Sequence, residues 1–93
     1  RYLNSEQREV ALVISRALKA ARHAARSGEK RASHVIYIAE SFLKDVSGFH
    51  LQYLELRSEE TLSPLKTLSK KNKARLFVAG YVGKTRLIDN IPL

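Results

Sequence analysis

The chain has 93 residues, enough for one domain around a single core that buries only about 60–65% of its unfolded surface, and too few for a two-substrate adenylating enzyme. Its 44% hydrophobic and 28% charged residues are those of an ordinary soluble domain. No apolar run approaches the roughly 20 residues of a membrane span, and the absence of Cys excludes disulfides and thiolate metal ligands and agrees with a cytoplasmic origin.

The net charge of +8 and pI near 10.1 admit three readings: a nucleic-acid surface, the interface to a further domain, or plain solubility. There is no Met, and the sequence begins with Arg1, so we expect a piece of a longer protein.

Asn4 is a good N-cap, and Gln7 three residues later completes a capping box. Glu6 and Glu9 put negative charge at the positive end of the helix dipole, so the first helix starts here. Val10, Val13, Ile14, Ala17, Leu18, Ala21, Ala24 and Ala25 recur at intervals of three and four. Arg8, Arg16, Lys19, Arg22 and Arg26 gather on the opposite side, and Gly28 closes the helix. The alanines from Ala17 to Ala25 leave room for a close neighbour.

A second amphipathic helix is expected from Arg31 or Ala32 to Val46, with Val35, Ile38, Ala39, Phe42, Leu43 and Val46 inward, stopped by Gly48. From Phe49 to Arg57 the pattern alternates, with Leu54 and Leu56 on one side of a strand and Leu51, Tyr53 and Glu55 on the other. Ser58 to Asn72 is polar and contains Pro64, which reads as an irregular connection with a short helical turn near Leu65 to Leu68. Two strands follow, joined by a tight turn at Gly83-Lys84. The sum is an α+β fold: two amphipathic helices packed on a small, three-stranded antiparallel sheet.

Few side chains suggest chemistry. Gly83-Lys84-Thr85 imitates the end of a phosphate-binding loop, but Val78 stands where the first glycine is needed and a strand follows instead of a helix. His23, His34 and His50 have no metal-ligand spacing, and Ser5, Ser15 and Ser33 have no His-Asp partners. Arg86 and Asp89 lie three apart on a strand and point to opposite faces. From the residues alone, each satisfies a separate polar contact; the functional alternative sends Lys84 or Arg86 towards a bound nucleotide. Lys66, Lys70, Lys71, Lys73 and Arg75 form a basic run without the interleaved aromatics that would stack bases.

The segment GKTRLIDN, from Gly83 to Asn90, nevertheless resembles the end of the pantothenate synthetase (pantoate:beta-alanine ligase) family nearly letter for letter. RYL at Arg1 to Leu3, the helix opened by NSEQR and YLELR at Tyr53 to Arg57 fall in the family's order, so the resemblance spans the chain. It implies a C-terminal lid domain, residues 1–93, of a cytoplasmic ligase on the vitamin B5 and coenzyme A pathway.

The implied partners are a larger N-terminal nucleotide-binding domain, pantoate, beta-alanine and ATP with Mg2+, and a homodimer through the absent domain is left open. The resemblance implies neither a membrane nor a specific nucleic acid as partner. The family's nucleotide-binding motifs end just before the residue matching Arg1, so no catalytic residue carries over. The fragment alone is expected to be inactive, to bind no cofactor and to hold no metal; Lys84 and Arg86 are the candidates facing the nucleotide across the domain boundary. The alternative is a small basic nucleic-acid-binding module, and a third reading is a structural or dimer-forming domain.

Overall fold

A computed structural model describes residues 3–93; Arg1 and Tyr2 of the RYL segment lie outside the described residues. The order is α1 (Ser5–Arg26), α2 (Ala32–Leu43), β1 (Phe49–Ser58), β2 (Ala74–Val82) and β3 (Thr85–Pro92). The strands form one antiparallel sheet in the order β1-β2-β3, with both helices on one face, the α+β arrangement expected.

The capping box of α1 is complete: Asn4 Oδ1 accepts from Gln7 N at 2.8 Å and Gln7 Oε1 accepts from Asn4 N at 3.0 Å. Val10, Ile14, Ala17, Leu18 and Ala21 are buried, while Arg8, Arg16, Lys19 and Arg26 keep to the outer side. The small side chains of Ala17 and Ala21 let α2 pack against α1.

Three expectations need correction. Helix α2 ends at Leu43 rather than Val46, and its buried stripe is Ala32, Val35, Ala39 and Leu43. Ile36, not Ile38, packs against the core, and Phe42 is 43% exposed. Val46 still reaches the core, but from a turn that carries the chain through Gly48 (φ 79°) into β1. The expected helical turn near Leu65 to Leu68 is absent because the loop backbone is bonded on both sides. Leu65 N donates to Leu56 O, while Ala32 N donates to Lys66 O and Leu68 N to Lys30 O. These bonds hold the loop extended between α2's first turn and β1's outer edge, and Leu65 and Leu68 pack on the core.

The third correction concerns Leu51. Its pairing with Gly80 is followed by Tyr53 pairing with Ala79, so Gln52 is an extra residue, a bulge. A bulge shifts the two-residue alternation by one. Phe49, Leu51, Leu54 and Leu56 therefore all face the helices, with Leu76, Val78 and Val82 of β2. The bulge lies beside Gly80, where a side chain would strike the Phe49 ring and stand 2.7 Å from His50 O. Phe49 thus occupies the space that Gly80 leaves empty. Gly83 has φ 60° and Lys84 does not share it, which fits a two-residue II′ hairpin between the paired Val82 and Thr85.

Candidate functional site: the open face of the sheet

With both helices on one side, the other face of the sheet carries no helix. The register aligns its residues in rows across β1, β2 and β3: His50, Tyr81 and Arg86; Tyr53, Ala79 and Ile88; Glu55, Phe77 and Asn90; then Arg57, Arg75 and Pro92. Because alternate residues of a strand share a face, YLELR contributes Tyr53, Glu55 and Arg57, and TRLIDN contributes Arg86, Ile88 and Asn90. The two segments that carry the resemblance thus meet on one surface. Of their other residues, Leu54, Leu56 and Leu87 pack on the core.

The middle of this face is apolar. Ala79 is fully buried between Tyr53 and Ile88, whereas Ile88 is 67% and Tyr81 37% exposed. Beside them lies a hollow of about 290 Å³ lined by Tyr53, Glu55, Arg57, Leu62 and Phe77. Leu62 stands on its rim with φ 62°, a backbone conformation that costs a branched side chain energy. Leu62 N to Ser58 O at 2.9 Å and Arg57 Nη1 to Leu62 O at 2.6 Å hold it there.

The arginines around that apolar centre differ in their partners. Arg57 Nε pairs with Glu55 at 3.2 Å, and Arg75 pairs with Glu59 at 2.8 Å while also donating to Asn90 Oδ1. Arg86 meets only the neutral amide of the bulge residue, with Nε donating to Gln52 Oε1 at 3.0 Å. Arg86 therefore keeps a positive charge that no carboxylate of the described residues offsets.

Lys84 is exposed at the hairpin tip and so lies near Arg86 along the chain, but it belongs to the turn. Thr85, between them, accepts a hydrogen bond at 2.8 Å from Gln7 Nε2. That contact places the start of α1 beside the hairpin, so Lys84 and Arg86 lie at the end where the chain enters the domain. Asp89 does not contact Arg86; its carboxylate accepts from Asn90 N at 2.8 Å.

The sequence missed the aromatic side of this sheet. Tyr53, Phe77 and Tyr81 are scattered in the chain, and only the register puts them on one face. The signal available was that Tyr53 and Glu55 of YLELR share a side, as do alternate residues of TRLIDN, but nothing in the chain aligns the three strands.

A second hollow, of about 360 Å³, lies at the other end of α1, with Ala25, Leu68, Ala74 and Leu93 as floor and Arg26, Lys30, Lys70 and Lys73 around it. Glu29 also lines it. Hydrogen bonds from the Arg31 guanidinium, first of all, hold the Glu29 carboxyl down to about 2. His34 Nε2 lies 3.7 Å from the same carboxylate and its ring stacks on Tyr37; His23 and His50 are exposed. Among the described residues no group of three His, Cys, Asp or Glu side chains could hold a metal, and no helix is long and apolar enough to cross a membrane.

Comparison with known proteins places these features in a family. The family described as Pantoate-beta-alanine ligase matches residues 1–92. Pantothenate synthetase of Nocardia farcinica is 48% identical over 91 residues, covering 98% of this chain but 26% of that protein. Pantothenate synthetase 1 of Bradyrhizobium diazoefficiens is 47% identical over 97 residues, covering all of this chain and 32% of that protein. The crystal structure of pantothenate synthetase from Thermus thermophilus superposes with a TM-score of 0.83 at 38% identity, over 97% of this chain and 32% of that one. The chain thus spans about a third or less of the relatives it matches.

Proposed function

The chain belongs to the pantoate-beta-alanine ligase family, and from that premise we propose that it is the C-terminal lid domain of an enzyme that joins pantoate to beta-alanine using ATP. The carrying observation is the whole-chain match to proteins about three times its length. In the proposed reaction a pantoate carboxylate oxygen attacks the alpha-phosphorus of ATP and pyrophosphate leaves. The beta-alanine amine then attacks the acyl carbon, forming the amide and releasing AMP.

In this reading the adenylating chemistry, with Mg2+ on the ATP phosphates, lies in the part of the enzyme outside residues 1–93. The contribution of this domain is cover: an acyl adenylate is a mixed anhydride that water destroys, and a closing domain excludes water while the amine attacks.

Deleting the segment matching residues 1–93 from the full-length enzyme tests this. The expected result is a sharp fall in pantothenate and a rise in AMP released per pantothenate made. A truncated enzyme that stays folded and keeps both rate and ratio overturns the lid. The 93-residue chain alone should make no pantothenate from ATP, pantoate and beta-alanine, and production of any would move catalysis into this domain.

A further inference from the structure

We propose that the open face of the sheet is the inner surface of the lid, docking on the catalytic part of the same polypeptide with Ile88 at its centre and Arg86 opposite an anionic group. The proposal rests on the lid reading and adds which surface closes. Three observations carry it.

First, the register places Tyr53, Glu55 and Arg57 of YLELR and Arg86, Ile88 and Asn90 of TRLIDN together on this face. Leu54, Leu56 and Leu87 of the same segments pack on the core; Arg86 and Ile88 are exposed outside it, and half-buried Tyr53 lines the hollow.

Second, the face has the make-up of a protein interface rather than of a polyanion site. Its centre is apolar, with Ile88 67% exposed, and Arg57 and Arg75 are already paired with Glu55 and Glu59. Buried apolar centres with satisfied polar rims characterise protein contacts, whereas nucleic acid needs cations free to meet phosphates. The single exception is Arg86, held by a neutral amide, which fixes where negative charge should stand on the partner.

Third, the relatives keep about two thirds of their length outside the matched segment, and the Gln7 to Thr85 contact brings the start of α1 to the hairpin end of this face. Helix α1 turns a cationic side to solvent, and α2 exposes Tyr37 and Phe42, so α2's outer side is the rival surface.

A photoreactive benzophenone amino acid is placed at position 88 or at position 37 of the full-length enzyme, which is irradiated with and without ATP and pantoate. The expected product is an intrachain cross-link from position 88 to residues outside the 93-residue segment, increased several-fold by substrates, with position 37 silent. Cross-linking from position 37 but not 88 overturns the face while leaving the lid standing, and links between two polypeptides make a second copy the occupant and also overturn it. If neither position cross-links in an active enzyme, the face falls, and the deletion experiment separately decides the lid. In the same enzyme Ile88→Glu should raise AMP released per pantothenate several-fold with folding unchanged, whereas Tyr37→Glu should not. Equal ratios for both variants count against the proposal.

Discussion

Gln7 and Thr85 are 78 positions apart, yet Gln7 Nε2 donates to Thr85 Oγ1 at 2.8 Å while Gln7 Oε1 closes the capping box on Asn4. One amide therefore starts α1 and ties it to the hairpin. Gln7→Ala removes both contacts and should cost about 1–2 kcal/mol, the sum of a capping loss and a hydrogen bond. Thr85→Val keeps the capping box on Asn4 but removes the acceptor for Gln7 Nε2, and should cost about half as much. Urea denaturation of the three proteins checks this, and equal midpoints for wild type and Gln7→Ala would remove the tie.

Gly80 should tolerate no side chain. Its missing Cβ is where the Phe49 ring lies, and the His50 carbonyl blocks escape at 2.7 Å. Gly80→Ala should destabilise by about 3 kcal/mol, at the upper end of overpacking costs, and the loss should shrink in a Phe49→Leu background because the two sites share one space. Gly28 is the control: at φ 113° nothing lies within 4 Å of its added Cβ, so Gly28→Ala should incur only backbone strain of about 1 kcal/mol. Thermal melts that rank the two substitutions in the opposite order would contradict the packing.

These contacts show which parts of the fold were local enough to read. The start of α1 was legible because capping is a four-residue pattern, and the hairpin turn because Gly83 supplies the positive φ. The split of Tyr53 and Glu55 from Leu54 and Leu56 was legible as well. The side of Leu51 was not, because the bulge at Gln52, opposite Gly80, is not written in the local alternation. Nor was the loop near Leu65 to Leu68, which lost its expected helical turn to backbone bonds with Lys30, Ala32 and Leu56. The stripe of α2 was right at Val35, Ala39 and Leu43 but took Ile38 for Ile36 and turned Phe42 inward, since Ile36 and Ile38 are equally apolar and tertiary packing chose between them. Lys84 and Arg86 could be named from the chain, but their different surroundings came only from the register.

Glu29 gives a pH test. Its carboxyl is lowered from 4.5 to about 2, chiefly by hydrogen bonding from Arg31. A carboxylate whose folded value lies below its unfolded one adds stability that is fully present above the unfolded value and disappears as pH falls through the folded one. The Glu29 contribution should therefore be constant above about pH 5 and fade between about pH 4.5 and 2. Carbon-detected NMR titration of the Glu29 carboxyl should give a midpoint near 2, moving up in Arg31→Ala. A midpoint in the wild-type chain no lower than the ordinary 4.5 would refute the pairing.

Binding to nucleic acid should be weak and indifferent to sequence. The free cations lie along α1 and around the second hollow, at Arg26, Lys30, Lys70 and Lys73, while the aromatic face has its arginines tied to carboxylates or Gln52. Titrations with several DNA and RNA sequences should show affinity falling steeply between about 50 and 200 mM salt. Selective binding tighter than micromolar at about 150 mM, where screening acts over about 8 Å, would favour a nucleic-acid module over the lid.

Lys84 and Arg86 should separate in the full-length enzyme. Lys84 is exposed at the hairpin tip, free to swing, so truncation to Ala should change the KM for ATP less than about twofold, the loss of a mobile surface charge. Arg86 is held on the open face by Gln52 at 3.0 Å, and a positioned charge loses less entropy than a free one when it meets an anion. Losing a charge-assisted hydrogen bond of about 1.5–3 kcal/mol predicts a fall of roughly tenfold or more in kcat/KM for Arg86→Ala. Gln52→Ala should give a smaller fall in the same direction, because it frees the guanidinium without removing it. The useful measurement is kcat and KM for ATP alongside AMP released per pantothenate. If Arg86 meets the anion only when the lid is closed, kcat should fall with kcat/KM and the ratio should rise. Lys84→Ala and Arg86→Ala enzymes with the same kcat/KM would show that the open face holds no special cation.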